Sequence, residues 1–320
     1  MSMRALAVAL IVAGPLASLI ASTPSLAAGN SFLVVASGIG GEASYSERFA
    51  EWSKSMIEAA ESRMSMPREH IVYLAETVTE GVDGQSTSEA IESTLAGLAS
   101  RAAPGDTIFV LLIGHGTARG DRLLFNVPGP DLSAEALAAL LEPYDAIRWV
   151  IVDTSPSSGP FASVLSAPNR VIVTATSNAT ERFHTIFAGH FVAAYSGDGA
   201  DTDKDGRISV QEAFEFAHRE VERSYTSEGR LQSEHARIDD SGNIARSSFL
   251  ESDRTLYASG LPADELARLL AERDALEQRI EELKTSKASA NPAAYDDELE
   301  ALLIEFALVH RALRAPVTDQ

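Results

Sequence analysis

Along most of the chain, short apolar runs alternate with segments in which apolar residues recur at helical spacing. Runs of strand length predict buried strands, and steps of three and four residues predict amphipathic helices. Strands alternating with helices form a mostly parallel sheet covered on both faces. We therefore predict an α/β fold, a three-layer sandwich. The predicted strands are Ser31–Ser37, His70–Ala75, Thr107–Gly114, Arg148–Asp153 and Asn169–Thr176, and the predicted helices between them are Tyr45–Arg63, Thr87–Ala102 and Ser133–Leu141.

The C-terminal part of the chain changes character twice. From Tyr225 to Ser259 it is polar and irregular, which indicates a loop or an arm. Beyond it, Leu261–Lys284 and Tyr295–Leu313 carry matching apolar stripes on either side of a short break, which predicts an antiparallel helical hairpin. The stripes either pack on each other or on the sheet domain, or they mediate self-association as a coiled coil. The predicted units are a signal peptide at 1–27, an α/β domain at 30–225, an irregular arm at 226–259 and the hairpin at 260–315.

The N-terminus has the pattern of a secretory signal peptide. A basic start, Met1–Arg4, precedes the apolar run Ala5–Ala21 and the small-x-small site Ser25–Ala27. We expect cleavage after Ala27 and an exported protein, periplasmic or extracellular, that is not inserted in a membrane. An uncleaved membrane anchor is the alternative, although the apolar run is short for a span.

Charge and cysteine content exclude several classes of function. A formal net charge of −20 argues against nucleic acid as a partner, because phosphate binding needs clustered Lys and Arg. The chain has no cysteine, which excludes disulfides, thiolate zinc sites and a cysteine nucleophile.

The most specific motif is "DTDKDGRISVQE", Asp201–Glu212, which matches the EF-hand calcium loop throughout. Three short carboxylates converge on one point, and Gly206 permits the sharp turn that this requires. The ion we predict is Ca²⁺, and a charged surface turn that binds nothing is the alternative. The predicted ligands are Asp201, Asp203, Asp205, Arg207 through its backbone carbonyl, Ser209 and Glu212.

The helices beside this loop favour a structural role for the ion. A helix over Ser209–Tyr225 should leave the loop, whereas the entering helix, about Thr180–Ser196, is separated from it by "GDGA". We expect a looser loop of the extracellular kind, with modest affinity, in which calcium holds local structure. A second acidic turn, Asp239–Asn243, lacks a closing glutamate and is interpreted as a turn.

Three segments together resemble the core of the caspase-like cysteine peptidases, in particular the legumain-type (C13-like) branch. They are "LLIGHGT" (Leu111–Thr117), "WVIVDTSPSSG" (Trp149–Gly159) and "RVIVTATSNATERF" (Arg170–Phe183). In that family an apolar strand ends in His-Gly, and the next strand ends in an acidic-small-Cys turn followed by Ser-Gly. The resemblance covers about Phe32–Tyr225, and bacterial exported members with a calcium loop after this core are also similar. It implies a caspase-like sheet.

The resemblance also implies positions for the site residues. His115 would stand at the general-base position, Gly116 in the oxyanion-binding turn and Ser155 at the nucleophile position, where serine replaces cysteine. Counting back from Ser158-Gly159 would instead place Pro156 at the nucleophile position, and both alignments remain open.

The absence of a thiol at the nucleophile position favours a protein without peptidase activity. A serine hydroxyl has no anion near neutral pH, so it needs a base that a third group orients. Asp153 is the nearest acid in sequence, and nothing in the sequence shows that it orients His115. The leading hypothesis is a pseudoenzyme that binds or scaffolds a protein or peptide partner. The loop Phe125–Ser133 and the degenerate pocket would hold this partner, and the helical hairpin would supply a second contact surface. One alternative is a Ser-His hydrolase that uses Ser155 and His115, and another is a structural envelope protein that oligomerises through its hairpin.

Overall fold

The structure, a computed structural model, describes residues 29–120, 122–251, 261–287 and 291–314. The predicted signal peptide and its cleavage site lie outside these residues. Within the described parts of the chain, every helix is too short or too polar to cross a lipid bilayer.

The predicted α/β sandwich is confirmed, with a mostly parallel seven-stranded sheet at its centre. Buried apolar runs of five to seven residues form its central strands, as the sequence pattern predicts. The strand order is β10-β9-β8-β4-β1-β2-β3, and only β10 is antiparallel to its neighbour. The strands are β1 (Ser31–Ser37), β2 (Ile71–Ala75), β3 (Gly84–Gln85), β4 (Thr107–Ile113), β8 (Arg148–Asp153), β9 (Arg170–Thr174) and β10 (Arg237–Asp239), while β5 (Gly116–Arg119), β6 (Arg122–Phe125) and β7 (Leu132–Ser133) form a second, antiparallel sheet.

Alternate side chains of each central strand enter two separate cores, one on each face of the sheet. In β1, Leu33 and Val35 point to one core, and Val34 and Ala36 point to the other. Helices α1, α5 and α6 cover the first face, and α2, α3 and α4 cover the second. The helices are α1 (Ala43–Ser62), α2 (Ser88–Ala99), α3 (Ala134–Leu141), α4 (Phe161–Leu165), α5 (Phe187–Ser196), α6 (Val210–Ser227), α7 (Ala263–Ser286) and α8 (Pro292–Arg314).

Two segments differ from the sequence-based expectation. The polar stretch after His115 forms the hairpin β5–β6, whose inward residues Leu123 and Phe125 are buried. The segment that we expected to be an irregular arm supplies the edge strand β10 and buries Ala245 and Leu250 in the first core. Its low apolar content concealed this, because an edge strand of three residues needs few buried side chains.

Helix α5 begins at Phe187, seven residues later than expected, because a distant carboxylate caps it there. Glu234 is fully buried and accepts hydrogen bonds from the backbone N–H groups of Ile186 (2.9 Å) and Phe187 (3.2 Å). The hydroxyl of Tyr225, in α6, donates to the same carboxylate at 3.1 Å. The expected helix start at Thr180 is therefore wrong: the N-terminal N–H groups find their acceptor at residue 234, which local sequence patterns do not reveal.

The predicted C-terminal helices are present and pack on each other. Five residues, 287–291, separate α7 from α8, so the two helices run antiparallel. Their apolar stripes form a third core of their own, which contains Leu266, Leu269, Leu270, Leu276, Ile280, Leu302, Val309 and Leu313. The stripes that the sequence singled out are thus buried within the hairpin.

Replacing Glu234 with alanine should destabilise the domain strongly. The substitution leaves two buried N–H groups and the Tyr225 hydroxyl without an acceptor, which should lower the free energy of unfolding by about 3 kcal/mol. Urea unfolding followed by circular dichroism measures this difference. The matched control is Glu222→Ala, at an exposed position of α6, with an expected change within about 0.5 kcal/mol. Equal effects of the two substitutions would contradict the capping role of Glu234.

Candidate functional site

The carboxyl ends of two neighbouring strands bring the predicted site residues to one edge of the sheet. Strands β4 and β8 pair in parallel, with Leu112 opposite Asp153. His115 follows β4 and Ser155 follows β8, so both lie just beyond the same edge. This edge is where sheets of this class hold their ligands.

Ser155 is fully buried at this edge. Its exposed fraction is 0%, and its hydroxyl oxygen has no hydrogen-bond partner within the described chain. Gly116 covers it: a Cβ at that glycine would lie 2.3 Å from the Ser155 oxygen and 2.6 Å from the carbonyl oxygen of Pro156. Only glycine therefore fits at position 116, and its backbone closes over the serine.

The other hydroxyl groups of the turn fasten it to the loop after β9. The Ser158 hydroxyl lies 3.2 Å from that of Thr176, which in turn accepts the N–H of Gly159 at 3.0 Å. Ser157 has φ +60° and donates its hydroxyl to the carbonyl of Ala179 at 3.1 Å. These serines have structural partners, and the alternative nucleophile position, Pro156, offers no reactive group.

His115 is oriented by a backbone carbonyl. Its Nε2 lies 3.2 Å from the Gly40 carbonyl oxygen, and since a carbonyl can only accept, Nε2 carries the proton. The rings of Tyr45 and Phe49 meet the imidazole edge-on, with centroids 4.9 and 5.3 Å away. Burial lowers the pKa of His115, and nearby His184 lowers it further, so the ring is neutral near pH 7 with Nδ1 as its basic nitrogen.

Asp153 does not orient His115. Its Oδ1 accepts the backbone N–H of Ser155 at 2.9 Å, and its Oδ2 is buried with no hydrogen-bond partner in the described chain. Burial raises the pKa of Asp153 to about 6. The orienting group that sequence reasoning missed is Gly40. The available signal was the glycine-rich turn after β1, since β1 is the strand paired with β4 on the other side.

The three aspartates of the acidic loop lie together. One carboxylate oxygen from each of Asp201, Asp203 and Asp205 falls within 4.8 Å of the others. Gly206 has φ +85° and donates its N–H to Oδ2 of Asp201 at 3.1 Å, so the turn folds over the first carboxylate. Oδ1 of Asp201 is buried without a hydrogen-bond partner among the described residues. An unsatisfied buried oxygen beside two further carboxylates suits a hard divalent cation.

Of the other predicted ligands, Glu212 stands outside this cluster. Glu212 is turned into a capping box: Oε2 accepts the N–H and hydroxyl of Ser209 at 3.0 and 2.9 Å, and Oε1 accepts the N–H of Thr202 at 2.9 Å. The Arg207 side chain is buried and stacks on Phe249, 3.6 Å from the ring centre. Glu212 would have to turn away from these donors to reach an ion held by the aspartates.

Burial and carboxylate repulsion both act on Asp203. Burial and the adjacent charge of Asp205 raise the pKa of Asp203 above its usual value. Burial also acts to raise the pKa of Glu212, but its hydrogen bonds from Ser209 and Thr202 outweigh this, so that its pKa lies below the usual value. A cation among the aspartates would relieve the repulsion between them.

The acidic loop lies at the opposite end of the sheet from His115. Near the end of the loop, Ser209 forms an antiparallel β-bridge with Phe249, and the N–H of Val210 donates to the carbonyl of Ser248 at 2.9 Å. The same segment meets the first residues of two strands: the Ser31 hydroxyl donates to Phe249, and an Arg148 guanidinium N–H donates to Ser247. The loop is thus attached to the amino ends of β1 and β8.

Replacing Asp153 with asparagine should stabilise the protein at neutral pH. A buried Asp with a raised pKa contributes stability below about pH 4, and this contribution is lost as the pH rises through about 6. The amide that Asp153→Asn introduces stays neutral at every pH. At about pH 7.5 the free energy of unfolding of the variant should therefore be about 2–3 kcal/mol higher than that of the wild type, and at about pH 4 the two values should be similar.

Urea unfolding at both pH values measures the Asp153 effect. The control is Asp145→Asn, an exposed position just before the same strand, which should give no such gain. If Asp153→Asn lowers the free energy of unfolding equally at the two pH values, the conclusion that burial raises the pKa of Asp153 is contradicted.

Comparison with known proteins places the chain in a family. Residues 70–239 match the family model described as "Peptidase C13 family", which is more than half of the chain. No curated protein matches it in sequence. Among solved structures, the crystal structure of drICE is similar at 9% sequence identity, with a TM-score of 0.42, covering 67% of this chain and 88% of that chain. On the match of its sheet domain, the chain belongs to the peptidase C13 family.

Proposed function

We propose that this chain is an exported, calcium-binding member of the peptidase C13 family that binds a protein or peptide partner and does not cleave it. One observation carries the proposal: Ser155, the residue at the implied nucleophile position, has an exposed fraction of 0%. A nucleophile must approach a carbonyl carbon to about 3 Å, and the Gly116 backbone occupies that space.

The chemistry of the residue supports the same proposal. With no cysteine in the chain, a thiolate cannot form. A serine needs its hydroxyl hydrogen-bonded to a base, and no hydrogen bond joins the Ser155 hydroxyl to His115 within the described chain. The turn around it is held by the hydroxyls of Ser157 and Ser158, so the serines of this segment are used for shape.

Surface features favour a binding role. A groove of about 660 Å³ lies between α2, α3 and the loop at Pro128–Pro130, which belongs to the segment that we expected to hold a partner. Two exposed apolar side chains, Phe183 at 71% and Leu231 at 94%, stand on loops that Glu181 and His235 join by a 3.1 Å contact. We propose that these two side chains take part in the contact with the partner.

The residues of the acidic loop fit a calcium ion. Asp201, Asp203 and Asp205 would hold it, with the carbonyl of Arg207 and, after a side-chain rotation, Glu212. When bound, the ion would supply positive charge that neutralises the three carboxylates. Since the loop is attached to the amino ends of β1 and β8, we propose a stabilising role for calcium, away from His115.

The runner-up is a Ser-His hydrolase, and one observation favours it. His115 is neutral and anchored through Nε2 to the Gly40 carbonyl, which is the arrangement that a general base requires. This function would require the Gly116 segment to open and expose Ser155.

A single introduced thiol tests access to the nucleophile position. Because the chain has no cysteine, Ser155→Cys creates one thiol, which iodoacetamide should alkylate at least about 100-fold more slowly than the exposed thiol of the control Ser163→Cys. Mass spectrometry follows both rates, and the difference should disappear in denaturant. Equal rates in the native state would show that the site opens.

The native serine provides the second half of this test. A fluorophosphonate probe should leave the wild-type protein unlabelled with or without calcium. Labelling that Ser155→Ala abolishes would establish the hydrolase and overturn the proposal.

Calcium should raise the melting temperature. With affinity in the range of about 10⁻⁴ M for a single extracellular-type loop, roughly 5 mM Ca²⁺ should stabilise the fold by about 2 kcal/mol and raise Tm by about 5 °C. Asp203→Asn should remove most of the rise, whereas the control Asp264→Asn, an exposed position on α7, should retain it. A Tm that calcium leaves unchanged would contradict the calcium proposal and leave the burial of Ser155 untouched.

A further inference from the structure

Helix α8 has two apolar faces, and only one of them is used inside the hairpin. Tyr295, Leu302, Val309 and Leu313 lie on the face that packs on α7. At about 100° per residue, Ile304 lies on the opposite side of the helix. A contiguous row of exposed apolar side chains on the reverse face of a helix suits contact with a second helix.

The second face, here called the outer stripe, runs along the helix at steps of three and four residues. Its large apolar side chains are well exposed: Leu303 at 47%, Ile304 at 54% and Leu308 at 58%. A shallow groove of about 360 Å³ runs along its first half. The outer stripe consists of Glu300, Leu303, Ile304, Ala307, Leu308 and Arg311.

The two ends of the outer stripe carry opposite charges. Exposed Glu300 stands before the apolar residues and exposed Arg311 stands after them. Asp296, three positions before the adjoining Leu299, adds a further negative charge at the same end. The helix is therefore acidic at one end of its apolar patch and basic at the other, so that a reversed copy of itself is complementary in charge.

We propose that two copies of this chain associate through their outer stripes, with the two α8 helices antiparallel about a two-fold axis between Glu305 and Phe306. In this register Leu303 meets Leu308 of the second copy, and Ile304 meets Ala307. Glu300 meets Arg311 at both ends. An interface in which each patch contacts its own copy is the usual arrangement in homodimers.

This surface differs from the stripes that the sequence suggested for self-association. Those stripes are buried within the hairpin, and the outer stripe lies on the reverse side of α8. The proposal is also independent of the proposed function, since no outer-stripe residue belongs to the acidic loop or to the edge at His115.

The association should be weak and specific. One helix pair buries less area than a standard interface, and the net charge of −20 on each chain opposes association. We expect a dissociation constant on the order of 10–100 μM at about 0.15 M salt, where distant charges are screened.

Charge reversal tests the register. Sedimentation of the purified protein should show a monomer–dimer equilibrium, and Glu300→Lys or Arg311→Glu alone should raise the dissociation constant about tenfold by placing like charges opposite each other twice. The double variant E300K/R311E restores opposite charges and should return the constant to within about threefold of wild type. Ile304→Glu should abolish the dimer.

The matched control is Glu298→Lys, the same charge change at an exposed position on another side of α8, which should leave the dissociation constant unchanged. Each experiment is run with calcium and with a chelator, and the result should be the same in both. A monomer at all concentrations up to about 200 μM would overturn the proposal. The proposal would also be overturned if the single charge reversals weaken the dimer and the double variant E300K/R311E fails to restore it.

Discussion

Parallel pairing of β4 with β8 is the constraint on which the rest of the site depends. The register that sets Leu112 against Asp153 places the ends of both strands at one edge, so His115 and Ser155 emerge side by side. Strand β1, on the other side of β4, brings Gly40 to the same edge, where its carbonyl orients the imidazole. Two backbone ladders thus assemble a histidine, its orienting group and a serine from three distant parts of the chain.

The same edge shows how a site can keep its shape while its nucleophile becomes inaccessible. Gly116 lies directly on Ser155, and the neighbouring hydroxyls bond to Thr176 and Ala179. Asp153 accepts the Ser155 N–H, and the group that orients His115 is the Gly40 carbonyl instead. The hydroxyls of Ser157 and Ser158 hold the turn, and no hydrogen bond joins the Ser155 hydroxyl to His115 within the described residues. This is the physical basis for proposing a binding protein in a peptidase family.

The acidic loop, the edge at His115 and the helical hairpin occupy different parts of the structure. The acidic loop is attached to the amino ends of the strands through Phe249 and Ser248, whereas the histidine edge lies at the carboxyl ends. The helical hairpin has a core of its own, distinct from the two that flank the sheet. We therefore expect an ion at the loop to contribute to stability, a partner at the carboxyl edge to use its exposed loops, and contact between copies to use the reverse side of α8.

Periodicity in the sequence was enough to predict the central strands, the helices α1, α2, α3 and α6 and the C-terminal pair, because long apolar runs and helical stripes have few other ways to be buried. The motif at 201–212 predicted that its three aspartates lie together, since short-range turn geometry is local, but it also predicted Glu212 as a ligand, which bonds to Ser209 and Thr202 instead. The start of α5, the strand β10, the carbonyl of Gly40 and the cover that Gly116 forms over Ser155 were decided only by the tertiary structure. Each depends on a partner far away in sequence, and hydrogen bonds or close backbone contacts between distant segments leave no periodic trace in the residues themselves.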